Sequence, residues 1–255
     1  MDRRYSVFRP GAWRKSATIA LIGLAALGAK KCDGNTDPNP GPVEGPIPVL
    51  FVHGWAGEFG NSFSTMRQWL STHGWGNVPL VEMKMRDSVF NCAEQSAEDV
   101  RNAVLDLLSP EYNYRVDIVA HSYGNLPARY FIKYGGGAVV VRNYVSITGP
   151  NHGTALSNEN PWICSVTEMD PDGPWIHDLN TPDETFGNNV RYTAIRSLND
   201  AFVIPSVSSR LAGALNVDTT LDHVQVLLQE PSFQLIKTAL EGGGKNTTQT
   251  GGTGG

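Results

Sequence analysis

The chain has 255 residues, of which 40% are apolar and 18% charged, enough apolar material for one large core in a single domain. That composition excludes an intrinsically disordered protein. The net charge is −5, and the lysines and arginines are scattered or crowded at the N-terminus, so there is no basic surface for DNA or RNA and no nucleic-acid partner is expected.

In chain order, Arg3, Arg4, Arg9, Arg14 and Lys15 precede an uncharged run, residues 16–29, that ends in small side chains. This is the layout of a signal peptide, residues 1–29, and the run is short of the roughly 20 apolar residues of a membrane span. A secreted or periplasmic protein is therefore expected. Residues 30–46 are rich in Pro and Gly and read as a flexible linker, and residues 242–255, mostly Gly and Thr, read as a disordered tail. The folded domain is placed at 47–241.

Residues 47–52 form a continuous apolar run suited to a strand covered on both faces, and 116–120 and 139–148 repeat it. Between these runs the apolar spacing is helical. Phe63, Met66 and Leu70 follow a candidate cap at Asn61, and Val100, Val104 and Leu107 follow Ser96-Ala97-Glu98-Asp99, which resembles a capping box. Alternating strands and helices predict a mostly parallel sheet flanked by helices, with ligands beyond the C-terminal strand ends. Residues 149–189 break the pattern as an irregular insertion before the last strands, carrying Trp162 and Trp175; long insertions of this kind are usually functional. Strands at 191–197 and 214–217 and a closing helix at 231–240 complete the domain.

Ala120-His121-Ser122-Tyr123-Gly124 lies between an apolar strand and the helical pattern of 126–134, the context of a nucleophile elbow. Small residues two before and two after the serine let the turn close and push the hydroxyl outward. The competing role for Ser122 is a helix N-cap. A serine needs a base, and in an elbow fold the acid and then the histidine follow it in sequence. Of the downstream histidines, His152 sits just after a strand and His177 in the insertion, whereas His223 follows a late strand and precedes the closing helix. Asp200, three residues past the 191–197 strand, is the candidate acid; Asp218 and Asp222 are the fallbacks, and Asp178 and Asp183 read as turn or surface residues. The expected catalytic set is Ser122, Asp200 and His223. The oxyanion donors are expected to be the backbone N–H of Tyr123 and, from the turn His53-Gly54-Trp55-Ala56-Gly57, that of Trp55.

With these pieces the chain resembles the class 2 lipases, bacterial secreted lipases and esterases of the α/β-hydrolase superfamily. The resemblance covers residues 48–240. It rests on Val49 through Gly57 (V-L-F-V-H-G-W-A-G), on Ala120 through Gly124 with Ala in place of the usual first Gly, and on Asn151-His152-Gly153-Thr154. It continues in Glu168-Met169-Asp170-Pro171-Asp172-Gly173, in Leu179-Asn180 with Asp183-Glu184-Thr185, and in Asn199-Asp200 with Asp222-His223. It implies an α/β-hydrolase fold, hydrolysis of a lipid or small ester through the same three side chains and the same two donors, contact with lipid interfaces, and no cofactor. The insertion is longer than in the smallest lidless members of that family. A monomer is expected.

Cys92 and Cys164 are candidates for a disulfide in an exported protein, leaving Cys32 in the linker. No metal site is expected: Asp170 and Asp172 could touch Ca²⁺, but Pro171 and Gly173 favour a turn. A non-catalytic binding module on a hydrolase sheet is the alternative from another class, and short-chain carboxylesterases and polymer-ester depolymerases share the same machinery.

Overall fold

A computed structural model describes residues 45–57, 61–159, 162–243 and 245–246. The expected signal peptide, most of the linker with Cys32, and the tail beyond residue 246 lie outside the described residues.

Six parallel strands form the sheet: β1 (Val49–Val52), β2 (Leu80–Glu82), β3 (Val116–His121), β4 (Val141–Ile147), β5 (Arg191–Ser197) and β6 (Leu215–Thr219), in the order β2-β1-β3-β4-β5-β6. A two-residue strand, β7 (Lys245–Asn246), pairs antiparallel with the start of β5. It falls in the stretch expected to be disordered, which a Gly- and Thr-rich composition gave no reason to divide. β2 was also not anticipated, because three residues are too few to show a period.

The helices are α1 (Ser64–Thr72), α2 (Ala93–Leu107), α3 (Asn125–Tyr134), α4 (Cys164–Thr167), α5 (Pro174–Asn180) and α6 (Glu230–Thr238). Alternate strand residues point to opposite faces, so each buried strand feeds two cores. Leu50, Val52, Ile118 and Ala120 pack with α2 and α3 on one face. Val49, Phe51, Val119 and Val145 pack with Met66 and Leu70 of α1 and Phe233 and Ile236 of α6 on the other.

Two helix starts differ from the sequence expectation. α1 begins at Ser64, and Asn61 accepts from Arg67 through its side chain rather than capping, while Glu82 accepts the Phe63 N–H at 3.3 Å. α2 begins at Ala93, earlier than Ser96 indicated. Gln95 Oε1 accepts the Cys92 N–H at 3.0 Å and Glu168 Oε2 accepts the Ala93 N–H at 2.6 Å, so part of the cap comes from the insertion, 75 residues away. The insertion itself is not wholly irregular: it contains α4, α5 and a 3₁₀ turn, Ala155–Glu159.

At the N-terminal end of β3, Asp117 is fully buried and takes Arg142 NH2 at 2.6 Å and Nε at 3.1 Å, plus the Asn143 backbone and side-chain N–H groups at 2.9 Å. This network secures the end of the sheet away from Ser122.

Candidate active site

β1 turns both ways in the sheet, to β2 on one side and β3 on the other, which opens a crevice past the ends of β1 and β3. Val52 is level with Ala120 across these strands, so Gly54 comes beside Ser122. A Cβ on Gly54 would stand 2.8 Å from the Ser122 Cβ. A Cβ on Gly124 would stand 2.3 Å from the His53 carbonyl oxygen, which is why the second residue after the serine must lack a side chain. Ser122 itself sits at φ 52°, in the left-handed region that non-glycine residues rarely occupy. Strand, strained serine, 3₁₀ turn and helix α3 follow one another as in a nucleophile elbow. Ser122 is no helix N-cap: α3 starts only at Asn125.

Asp200 and His223 reach the same point from the loops after β5 and β6. His223 Nε2 is 2.9 Å from Ser122 Oγ, and His223 Nδ1 is 2.9 Å from Asp200 Oδ2. The carboxylate can only accept, so Nδ1 carries the proton and Nε2 offers its lone pair to the serine hydroxyl. Asp200 Oδ1 accepts the N–H groups of Phe202 and Val203 at 2.8 and 2.9 Å. Burial works to raise the Asp200 pKa, but the His223 hydrogen bond and charge and the two backbone donors prevail and hold it below the usual range.

The fallback acids are engaged elsewhere. Asp218 pairs with Arg196 at 2.6 Å and Arg210 at 3.0 Å, and Asp222 receives the Val224 and Gln225 N–H groups. Asp178 accepts the Tyr134 hydroxyl, Asp183 closes a turn with Thr185, and Asp170 does the same with Asp172. His177 lies on α5. His152 makes a separate pair: Nε2 faces Glu184 Oε1 at 2.9 Å and Nδ1 faces the Ser208 carbonyl at 3.2 Å. Two acceptors suit the doubly protonated ring, and the Glu184 hydrogen bond raises the His152 pKa despite burial.

Cys92 and Cys164 are bonded as a disulfide, 72 residues apart. With Glu168 they make the one group of metal-ligating side chains found among the described residues, but both sulfurs are spent in the bond. Burial pushes the Glu168 carboxyl up to about 8. Tyr123 is buried with its hydroxyl 3.4 Å from the Asn91 carbonyl oxygen, while Trp55 is 45% exposed and its indole N–H donates to Ser165 Oγ at 3.1 Å. The Trp55 ring is thus not part of the core.

A family model described as Lipase (class 2) matches residues 46–230. The chain belongs to the class 2 lipase family. Its fold is that of the α/β-hydrolases. It is similar to Aspergillus fumigatus lipase B, with a TM-score of 0.63 and 20% identity, covering 79% of this chain and 54% of that one. The Bacillus licheniformis lipase BlEst2 in mature form superposes with a TM-score of 0.59 at 13% identity, over 81% of this chain and 96% of that one. A metagenomic carboxyl esterase gives 0.56 at 16% identity, over 82% and 76%. This class 2 lipase family member thus spans about half the length of the fungal lipase, and at these identities the likeness is one of fold.

One residue of the site was missed in the sequence. His121, the residue before Ser122, is buried with Nε2 2.9 Å from the His223 carbonyl oxygen and its ring 4.8 Å from the His223 ring. It donates to that carbonyl and so holds the backbone of the candidate base. Its position inside the elbow motif was the available signal; nothing in the spacing told that its ring turns toward a residue 102 positions away.

Proposed function

We propose that this protein is a secreted serine ester hydrolase, specifically a triacylglycerol lipase. The observation that carries this reading is the unbroken chain of two 2.9 Å contacts from Ser122 through His223 to Asp200. Ser122 Oγ attacks the ester carbonyl carbon as His223 Nε2 takes its proton. The charge that develops on the carbonyl oxygen is met by the backbone N–H groups of Trp55 and Tyr123. His223 returns the proton to the leaving alcohol, and an acyl-enzyme remains on Ser122. Water, deprotonated by the same imidazole, then releases the carboxylic acid and restores the serine. Asp200 keeps the imidazole in the tautomer with Nδ1 protonated and stabilises its charged form.

The triacylglycerol preference is supported by the rim of the crevice. Trp55, Leu198, Phe202 and Val224 are exposed on the loops that carry or adjoin the three side chains, and Phe202 lies with its ring 4.9 Å from that of His223. Exposed apolar groups ringing a polar centre suit contact with a lipid interface. Export is supported by the leader-like residues 1–29 and by the disulfide, which belongs in an oxidising compartment.

The test is labelling with a fluorophosphonate together with turnover of an ester chain-length series below and above the solubility limit. Stoichiometric label on Ser122, loss of up to about 10⁶-fold in turnover for Ser122→Ala, and higher rates on long-chain emulsions than on soluble short-chain esters are expected. Label on no serine would restore the binding-module reading, and a rate that peaks on soluble short chains would make the enzyme a short-chain carboxylesterase.

A further inference from the structure

The turn that carries Trp55 is held by groups from outside the sheet. Ala56 has φ 55°, a left-handed conformation that persists in a non-glycine residue only when its surroundings enforce it. Ser88 Oγ accepts the Ala56 N–H at 2.8 Å. Ser165 Oγ accepts the Trp55 indole N–H at 3.1 Å and itself donates to the Val89 carbonyl oxygen. Both serines are fully buried. Ser88 and Val89 lie in the loop before α2, Ser165 lies on α4, and the Cys92–Cys164 disulfide joins these two segments next to both. Because half of the Trp55 surface faces solvent, core packing does not fix the ring; the bond to Ser165 supplies a fixed point. On the other side of the turn, Gly54 is in contact range of Ser122, so a shift of the turn alters how the Trp55 N–H faces the oxygen bonded to the nucleophile's acyl carbon.

We propose that Ser165 is a positioning residue for the oxyanion turn, acting through the Trp55 indole. This rests on the reading of Trp55 as an oxyanion donor in an ester hydrolase. Deleting one such donor costs about 10²- to 10³-fold in turnover, so misplacing one costs a part of that.

The experiment is a double-mutant cycle on kcat and KM for a soluble ester, using Ser165→Ala, Trp55→Phe and both together, with thermal melting and the affinity for a boronic acid that forms a tetrahedral adduct on Ser122. Trp55→Phe removes the same bond from its other end and leaves Ser165 intact, so the test survives if one variant folds poorly. Each single variant is expected to lose about tenfold in kcat with KM within about twofold, to lose boronate affinity by the same factor, and to combine into a double variant no slower than the slower single. An unchanged kcat in Ser165→Ala, losses that multiply in the double variant, or a loss confined to KM would overturn the proposal. If the unmodified enzyme hydrolyses ester and Ser122 labels while Ser165→Ala matches it, this inference alone falls; if the unmodified protein neither labels nor hydrolyses, the parent reading falls with it.

Discussion

His121 makes the folded protein sensitive to acid in a way that can be measured apart from activity. It is buried beside Ser122, and burial, aided by the neighbouring His223 and His53, lowers its pKa from 6.5 to about 3. In the unfolded chain the imidazole regains its ordinary pKa, so between pH 6.5 and 3 the unfolded state binds a proton that the native state refuses. The stability tied to this residue is complete above pH 6.5 and is lost as pH falls toward 3. At about 1.36 kcal/mol per pH unit, a drop from pH 7.5 to 4.5 crosses two units of that window and costs about 3 kcal/mol. That is a large part of the roughly 5–15 kcal/mol by which a domain is usually stable. His121→Gln keeps an N–H donor near the position of Nε2 and cannot titrate. Urea unfolding of both proteins across pH 7.5 to 4.5 should show the unmodified protein losing about 3 kcal/mol more than the variant. Asp200, held below the usual carboxylate range, adds acid lability of the same sign to both proteins and cancels. Parallel stability curves would refute the argument.

Asp200→Asn should lower kcat by about 10⁴-fold, because an amide no longer enforces the His223 tautomer with Nδ1 protonated; a loss under tenfold in steady-state turnover would remove Asp200 from the proposed triad. Asp117→Ala takes the carboxylate from Arg142, whose side chain is 8% exposed, and should destabilise the fold by about 3–5 kcal/mol in denaturant melts while Ser122 labelling in the native state persists. Replacing Cys92 and Cys164 together by Ala releases a loop of 72 residues and should cost about 4 kcal/mol in the chain-entropy account, read as a lower urea midpoint; an unchanged midpoint would contradict that account.

Much of the candidate site is written in local order along the chain. The apolar runs that became β1, β3 and β4 could be read because strands covered on both faces carry mostly apolar side chains, and Ser122 could be read because its turn demands Gly124 two residues on. Asp200 and His223 followed from the order of elements, since each lies just past a strand end. The start of α2 was not legible, because Glu168 caps it from the insertion, and neither were the three residues of β2.

By itself, then, the amino-acid sequence determined which segments become buried strands and which residue types stand at their C-terminal ends, since burial and tight turns constrain residues through their immediate neighbours. Only the tertiary structure decided which way His121 faces, how Asp218 is drawn off by Arg196 and Arg210, and how Ser88 and Ser165 meet the Trp55 turn. Those contacts join side chains from separate elements, and their geometry comes from the packing of strands, loops and disulfide against one another, which no local pattern encodes.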